Sequence, residues 1–232
     1  MSTIAFIFAR GGSKGLPGKN IRLLNNKPLL GYSIEIAQEI DEISHIFVST
    51  DDEQIAEIAE QYDVDVINRP SLLAQDDSPE LLSWKHAVAY VREKEIQFDK
   101  FLSLPTTAPL RNVIDVQSCL DLLDNDTDVV LTITESHRSP FFNMVKIEQD
   151  GYVKLLSVDE KTYARRQDTP KSYDVTTAAY VSSPDFILKA DNLFEGRVKA
   201  ICIPRERAVD IDNEIDFIIA DTFIKRGISS NA

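Results

Sequence analysis

The stretch from Ile4 to Asn20, IAFIFARGGSKGLPGKN, constrains this chain more than any other. It opens with a short apolar run, Ile4 to Ala9, rich in Ile and Phe and bounded by glycines, which reads as a buried strand. Arg10, Gly11, Gly12, Ser13, Lys14, Gly15, Leu16, Pro17, Gly18, Lys19 and Asn20 follow. Glycines in such a turn let backbone N–H groups close on a ligand with no Cβ in the way. Arg10, Lys14 and Lys19 put three cations on that turn, which suits an anion with several negative oxygens, such as a nucleoside triphosphate.

The charge distribution supports an anion site. The chain carries 38 Asp+Glu against 25 Lys+Arg, a net charge of −13. Yet its first 34 residues hold five basic residues (Arg10, Lys14, Lys19, Arg22, Lys27) and no acidic one. A local basic pocket in an acidic protein points to a small anion; a nucleic-acid surface would need a broad basic patch. Two common phosphate motifs are excluded. In a P-loop, G-x-x-x-x-G-K-[ST], the glycines are one residue closer than Gly12 and Gly18, and a Ser or Thr stands where this chain has Asn20. The dinucleotide spacing G-x-G-x-x-G is also missing.

Downstream, strand and helix patterns alternate. Pro28 to Gln38 has helical apolar spacing, and His45 to Asp51 reads as a parallel strand. A helix follows over Asp52 to Tyr62, with Asp51 or Asp52 as its N-cap, and then a short strand over Val64 to Ile67. Arg69-Pro70 breaks that strand, Leu72 to Glu80 is loop-like, and Pro79 starts a helix running to about Glu95. Lys100 to Pro105 is a strand, Thr106 to Arg111 a turn, Val113 to Leu123 a helix and Asp128 to Thr134 a buried strand. This alternation predicts an α/β protein with a mostly parallel sheet covered on both faces. A hairpin is expected from Asn143 to Leu156, turning at Asp150-Gly151, within an excursion over about residues 136–175. Strands are expected again at Ala178 to Ser183 and Val198 to Ile203, then a helix over Asn213 to Lys225 and a loose tail from Gly227.

Val209-Asp210-Ile211-Asp212 alternates apolar and acidic residues. At a strand period of two, both carboxylates face one way. Two carboxylates on one side make a hard-oxygen site for Mg²⁺, which takes one or two of them plus phosphate oxygens. Alternatively, Asp212 merely caps the following helix.

FARGGSKGLPGKN resembles the signature of the sialic-acid-activating cytidylyltransferases, the CMP-N-acylneuraminate synthetase family. The Asp210-Ile211-Asp212 segment is similar to that family's metal-binding segment. Arg69-Pro70 and Asp76 match positions around the nucleotide, and PTTAPLR, from Pro105 to Arg111, resembles the family's Q-P-T-S-P-L-R. Arg166-Gln167 matches an R-Q pair and Tyr180 a tyrosine. Thr176-Thr177 stands where the family often has Asn-Gly, and Ser78-Pro79-Glu80 where it has A-S-S.

The resemblance implies one domain over residues 1–232 with a mostly parallel, Rossmann-like nucleotidyltransferase sheet flanked by helices. Residues of about 136–175 would be an inserted dimerisation subdomain. The activity implied is transfer of CMP from CTP to a 2-keto-3-deoxy sugar acid, with release of pyrophosphate. Arg10, Gly11, Gly12, Ser13, Lys14, Lys19, Asn20, Arg69 and Asp76 would then bind nucleotide. Thr107, Arg111, Arg166, Gln167, Thr176 and Tyr180 would bind the sugar, and Asp210 and Asp212 would hold Mg²⁺. Arg10, Lys14, Lys19 and Asp210 carry the catalytic role in this reading. The departures concentrate at sugar positions, which points to a nonulosonic acid other than ordinary N-acetylneuraminate as acceptor, for example a legionaminic- or pseudaminic-type sugar. The alternatives are activation of a shorter acid such as 3-deoxy-manno-octulosonate, and a catalytically silent nucleotide-sugar binder.

The remaining features set bounds. No apolar run approaches the ~20 residues of a membrane helix, and the N-terminal apolar run is too short for a signal peptide. A cytoplasmic protein is expected, with no nucleic-acid or membrane partner. Cys119 and Cys202 are expected as buried free thiols. The three histidines, His45, His86 and His137, are scattered without metal spacing.

Overall fold

The computed structural model describes residues 2–159 and 161–228. β1 (Thr3–Phe8) runs into the glycine-rich loop. β2 (Leu23–Leu24) and β3 (Lys27–Pro28) form a two-residue hairpin through Asn25 and Asn26, both at positive φ, the mirror-image turn that suits strand twist. The chain then alternates: α1 (Leu29–Gln38), β4 (Ile43–Thr50), α2 (Glu53–Gln61), β5 (Asp65–Asn68), α3 (Glu80–Glu93), β6 (Lys100–Ser103), α4 (Val113–Leu122) and β7 (Val129–Glu135). A separate hairpin, β8 (Val145–Ile147) with β9 (Val153–Leu155), precedes β10 (Tyr173–Ser182), α5 (Pro184–Lys189), β11 (Val198–Cys202) and α6 (Glu214–Lys225).

Seven strands form one sheet in the order β11-β7-β10-β6-β1-β4-β5. Neighbours pair in parallel, except that β10 runs antiparallel to both β6 and β7. The expected mostly parallel sheet is therefore present. β1 sits near its centre and is buried on both faces, so its sequence is continuously apolar. Ala5, Ile7 and Ala9 join Leu30, Ile34, Ile55, Val116 and Leu120 from α1, α2 and α4. Ile4 and Phe6 point the other way, to Trp84, Val88 and Val91 of α3 and Ile187 of α5. Stripping the fully buried Phe6 to Ala would cost about 3–5 kcal/mol.

After β1 the chain builds one wing, β4 and β5, and then returns to place β6 on β1's other side. That reversal opens a crevice beyond the carboxyl ends of the strands, where α/β sheets bind ligands.

Several expectations need correction. β10 begins at Tyr173, five residues before the expected Ala178, because Tyr173 to Thr176 pairs with β7 despite its polarity. α5, capped by Ser183 with Pro184 in its first turn, is too short to leave a periodic signature. Val209 to Asp212 lies in no strand. Only Ile211 N is tied to a neighbour's backbone, donating to Thr107 O at 2.8 Å. The expected alternation of burial holds only for the second pair, Ile211 being fully buried and Asp212 exposed, whereas Val209 and Asp210 are both half-buried and the two carboxylates are not equivalent. Asp212 does not cap α6. Asn213 does, in a capping box with Asp216. Cys119 is buried, but Cys202 is exposed on the edge strand, and both are free. Gly227, at φ 64°, closes α6, and Ile228 N bonds back to Phe223 O. The rest of the expected loose tail, 229–232, lies outside the described residues.

Candidate active site

The glycine-rich loop is fixed from several sides. Gly11 N donates to Asp51 Oδ1 at 3.1 Å, tying the loop to the end of β4. Leu16 is buried beneath it with Leu24, Leu110, Ile211 and Phe217. Asn20 is a strut: its Nδ2 donates to Arg10 O at 2.9 Å and its Oδ1 accepts from Thr106 Oγ1 at 2.5 Å. Gly18 takes φ 65°, which a side chain would strain. At Gly15 the need is space. A Cβ built there would collide with the carbonyl oxygen of Asp212.

Arg10, Ser13, Lys14, Lys19, Asn20, Arg69, Asp76, Thr107 and Asp212 all line one cavity of about 360 Å³. Most of the expected nucleotide residues thus converge. Arg69 is buried, its Nε donating to Ser49 Oγ at 3.2 Å and its Nη2 to Ser49 O, and desolvation lowers its pKa. Gly11 and Gly12 supply the bend, and nothing lies within 4 Å of a Cβ built on Gly12.

The cations have partners within the protein. Arg10 Nη2 lies 2.8 Å from Asp76 Oδ1, and Lys14 Nζ pairs with the other carboxylate oxygen. Lys14 is the first cause holding the Asp76 carboxyl below its ordinary range. Lys19 Nζ donates to Ile211 O at 2.7 Å and to Asp212 Oδ1 at 3.2 Å. Lys19 is thus the link between the glycine-rich loop and the acidic segment.

Asp210 sits deeper than Asp212. Burial pushes its carboxyl above the ordinary range and the charge of Asp212 adds to this, while the nearby hydroxyls of Thr107 and Thr177 and the charge of Lys19 oppose it. Its Oδ1 is buried with no hydrogen-bond partner. Asp210 lines an adjoining cavity of about 670 Å³ together with Thr134, Asp174, Thr176, Arg205 and Asp216. The turn that delivers it, Arg205–Arg207, is anchored by a buried bidentate pair, Arg207 to Asp115, at 2.9 and 3.0 Å. β10 slips against β7 between Thr176 and Tyr180, and Thr177 within that slip accepts from Thr107 Oγ1 at 3.2 Å. Such irregularities re-aim side chains next to sites.

The expected sugar residues do not converge equally. Thr107 lines the main cavity and bonds Thr177 Oγ1 at 3.2 Å. Tyr180 is packed on Trp84, with ring centroids 5.5 Å apart, and burial pushes its hydroxyl up to about 12. Thr176 is buried and spends its hydroxyl on Thr132 Oγ1 at 2.6 Å. Arg111 is 4 % exposed and donates to Ala108 O, Ser33 Oγ and Pro105 O, so it braces its own turn from beneath. Arg166 and Gln167 line a separate cavity of about 190 Å³ beside Arg138 and Ser136. Arg166 Nη1 is held by the carbonyls of Ser136 and His137 at 3.3 and 3.1 Å.

Glu80, Asp51 and Thr177 were not singled out as site residues from sequence. Glu80 opens onto the main cavity and accepts from Trp84 Nε1 at 3.3 Å. Protein crowding its carboxyl removes solvation and raises its pKa. Pro79 before a helix was the signal that could have found it, because the first residue of α3 faces the crevice.

A doubly wound sheet with a cationic cradle beyond its strand ends and a buried carboxylate opposite defines an α/β nucleotidyltransferase. The chain belongs to the cytidylyltransferase family, which matches residues 4–201. It is 34 % identical over 222 residues to the post-translational flagellin modification protein B of Campylobacter coli, covering 94 % of this chain and 93 % of that one. It is 33 % identical over 221 residues to the CMP-N,N'-diacetyllegionaminic acid synthase of Campylobacter jejuni, with the same coverage. The fold matches that of CMP:2-keto-3-deoxy-manno-octonic acid synthetase complexed with CTP, at TM-score 0.70 and 15 % identity, covering 98 % of this chain and 100 % of that one.

Proposed function

We propose that this chain transfers CMP from CTP to the anomeric hydroxyl of a nonulosonic 2-keto-3-deoxy acid, releasing pyrophosphate. The observation that carries this is the convergence of Arg10, Lys14, Lys19 and Arg69 on one cavity that Asp212 also lines, with Lys19 bonded to Asp212 and Asp210 two residues before it in the chain. The acceptor oxygen attacks the α-phosphorus, the new C–O–P bond forms, and the bond to the pyrophosphate oxygen breaks. Arg10, Lys14 and Lys19 bear the growing charge on the leaving pyrophosphate. The hydroxyls of Thr107 and Thr177 lie close enough to the Asp210 carboxyl to favour its charged form. The buried, unpartnered Oδ1 of Asp210 and the donor chemistry of two carboxylates fit a hard cation. Asp210 and Asp212 would hold Mg²⁺, which when bound would polarise phosphate oxygens and favour the deprotonated acceptor hydroxyl. The test is pyrophosphate release from CTP with N-acetylneuraminate, N,N'-diacetyllegionaminate, a pseudaminic-type acid and 3-deoxy-manno-octulosonate in parallel. Release with none of them overturns the reading.

The same reading makes the protein a cytoplasmic homodimer. Support for a second copy lies in the β8–β9 hairpin, where Ile147 and Val153 are 76 % and 60 % exposed. Apolar exposure of this extent on one small element marks an association surface. Ile147→Asp is expected to give a monomer by light scattering, and an unchanged dimer would remove the hairpin from the interface. For location, the support is that no helix among the described residues is long and apolar enough to cross a membrane.

A further inference from the structure

All three loop cations have an internal carboxylate, Lys19 that of Asp212, while Arg10 and Lys14 share that of Asp76. Asp76 places one carboxylate oxygen on Arg10 and the other on Lys14, and Arg10 Nη1 also donates to Ala74 O at 3.3 Å. Asp76 therefore stands where a phosphate with two free oxygens would stand. The segment that carries it is lightly held. It is a single short turn, Ser71–Ala74, with no buried residue, followed by Gln75, Asp76 and Asp77, all exposed. Its other ties are Leu73 N to Pro70 O at 2.8 Å and Ser78 N to Gln75 O at 3.2 Å within the segment, and one bond from α3, Ser83 Oγ to Leu73 O at 3.2 Å, which leaves residues 75–77 held by the Asp76 pairs. Lys14's side chain is 81 % exposed and Asp76's 39 %, so these pairs are screened and exchangeable.

We propose that Asp76 is an internal competitor for the phosphate site, a latch that ties residues 71–77 to the cavity wall and is displaced when a polyphosphate takes Arg10 and Lys14. The inference rests on the phosphate-cradle reading above, but CMP transfer can hold while the latch fails. A competitor lowers the apparent affinity by the fraction of molecules that are latched. This gives Asp76 the opposite sign from a residue that contacts nucleotide directly.

The probe is inorganic pyrophosphate without divalent metal, titrated by calorimetry into wild type, Asp76→Asn and Asp77→Asn. Asp77 makes no ion pair among the described residues and controls for loss of one negative charge. Asp76→Asn is expected to bind about three- to tenfold tighter, with Asp77→Asn nearly unchanged. Hydrogen exchange at residues 73–78 separates displacement from simple electrostatics. In wild type these amides are expected to exchange faster on saturation with pyrophosphate. In Asp76→Asn they are expected to be fast already. Equal or weaker binding by Asp76→Asn, equal tightening by Asp77→Asn, or exchange in wild type that pyrophosphate leaves unchanged overturns the latch. Failure of pyrophosphate to bind any of the three overturns the latch and the cradle together.

Discussion

The two sides of the site, the glycine-rich loop and the acidic segment, solve the problem of charge differently. At the glycine-rich loop, Arg10 and Lys14 are partly or largely exposed and share the single carboxylate of Asp76, which leaves the cluster one net positive charge. At the other end, Asp210 is half-buried, and its Oδ1 is fully buried with no partner. The first end is complete without a ligand and must be opened. The second is incomplete and must be filled. Exposed pairs cost little to break, whereas a buried oxygen without a donor is a standing penalty. Substitutions should therefore act on activity and stability in opposite senses at the Asp210 end, and more mildly at the loop end.

The largest effect is expected for Asp210→Asn. Turnover should fall about 10²–10³-fold, as when a charge-stabilising group leaves a site, while the protein becomes more stable by about 1 kcal/mol. Pyrophosphate release and thermal melting of the same preparation check both. A variant that keeps its rate, or that melts well below wild type, would erase the contrast between the two ends.

Lys19→Ala comes next, because Lys19 spans both ends. Its side chain is 12 % exposed and bonds Ile211 O and Asp212. Loss of a charge-assisted contact is expected to cost about 2–4 kcal/mol in kcat/KM. Steady-state kinetics varied in CTP measure it, and a near-wild-type value would mean that Lys19 only braces the loop.

Asp212→Asn should act least. Its side chain is 72 % exposed and already shares Lys19. A shift of less than tenfold in the Mg²⁺ giving half-maximal rate is expected, with kcat nearly kept. If Asp212→Asn proves as damaging as Asp210→Asn, the two carboxylates are equivalent and the difference in burial has no functional meaning.

Much of this was legible in the chain. β1 is continuously apolar because it is buried on both faces, and the glycines after it mark the cradle. The alternation of helix and strand disclosed the sheet. What stayed hidden depends on contacts between distant residues. The polar run Tyr173 to Thr176 becomes a strand only because β7 offers it a ladder. The pairing of Asp76 with Arg10 and Lys14 joins residues more than sixty apart, and no local pattern announces it. Arg111 reads as a ligand-binding arginine in its motif, yet its donors turn inward to Ser33 and to the carbonyls of its own turn.

The close approach of Gly15 to the carbonyl of Asp212 also bears on how the protein comes into being. Lys19 to Ile211 and Arg22 to Glu214 each join residues 192 apart, the latter in a bidentate pair at 2.6 and 2.7 Å with Arg22 also over the Phe217 ring. Closing such long loops is slow and comes after local structure. A chain emerging from the ribosome can form β1 and its neighbouring wing early, but its cradle lacks a wall until residue 212 has been made. Nucleotide cannot serve as a template for the first half of the chain. Nascent chains halted before the acidic segment should fold their sheet in part and bind no CTP.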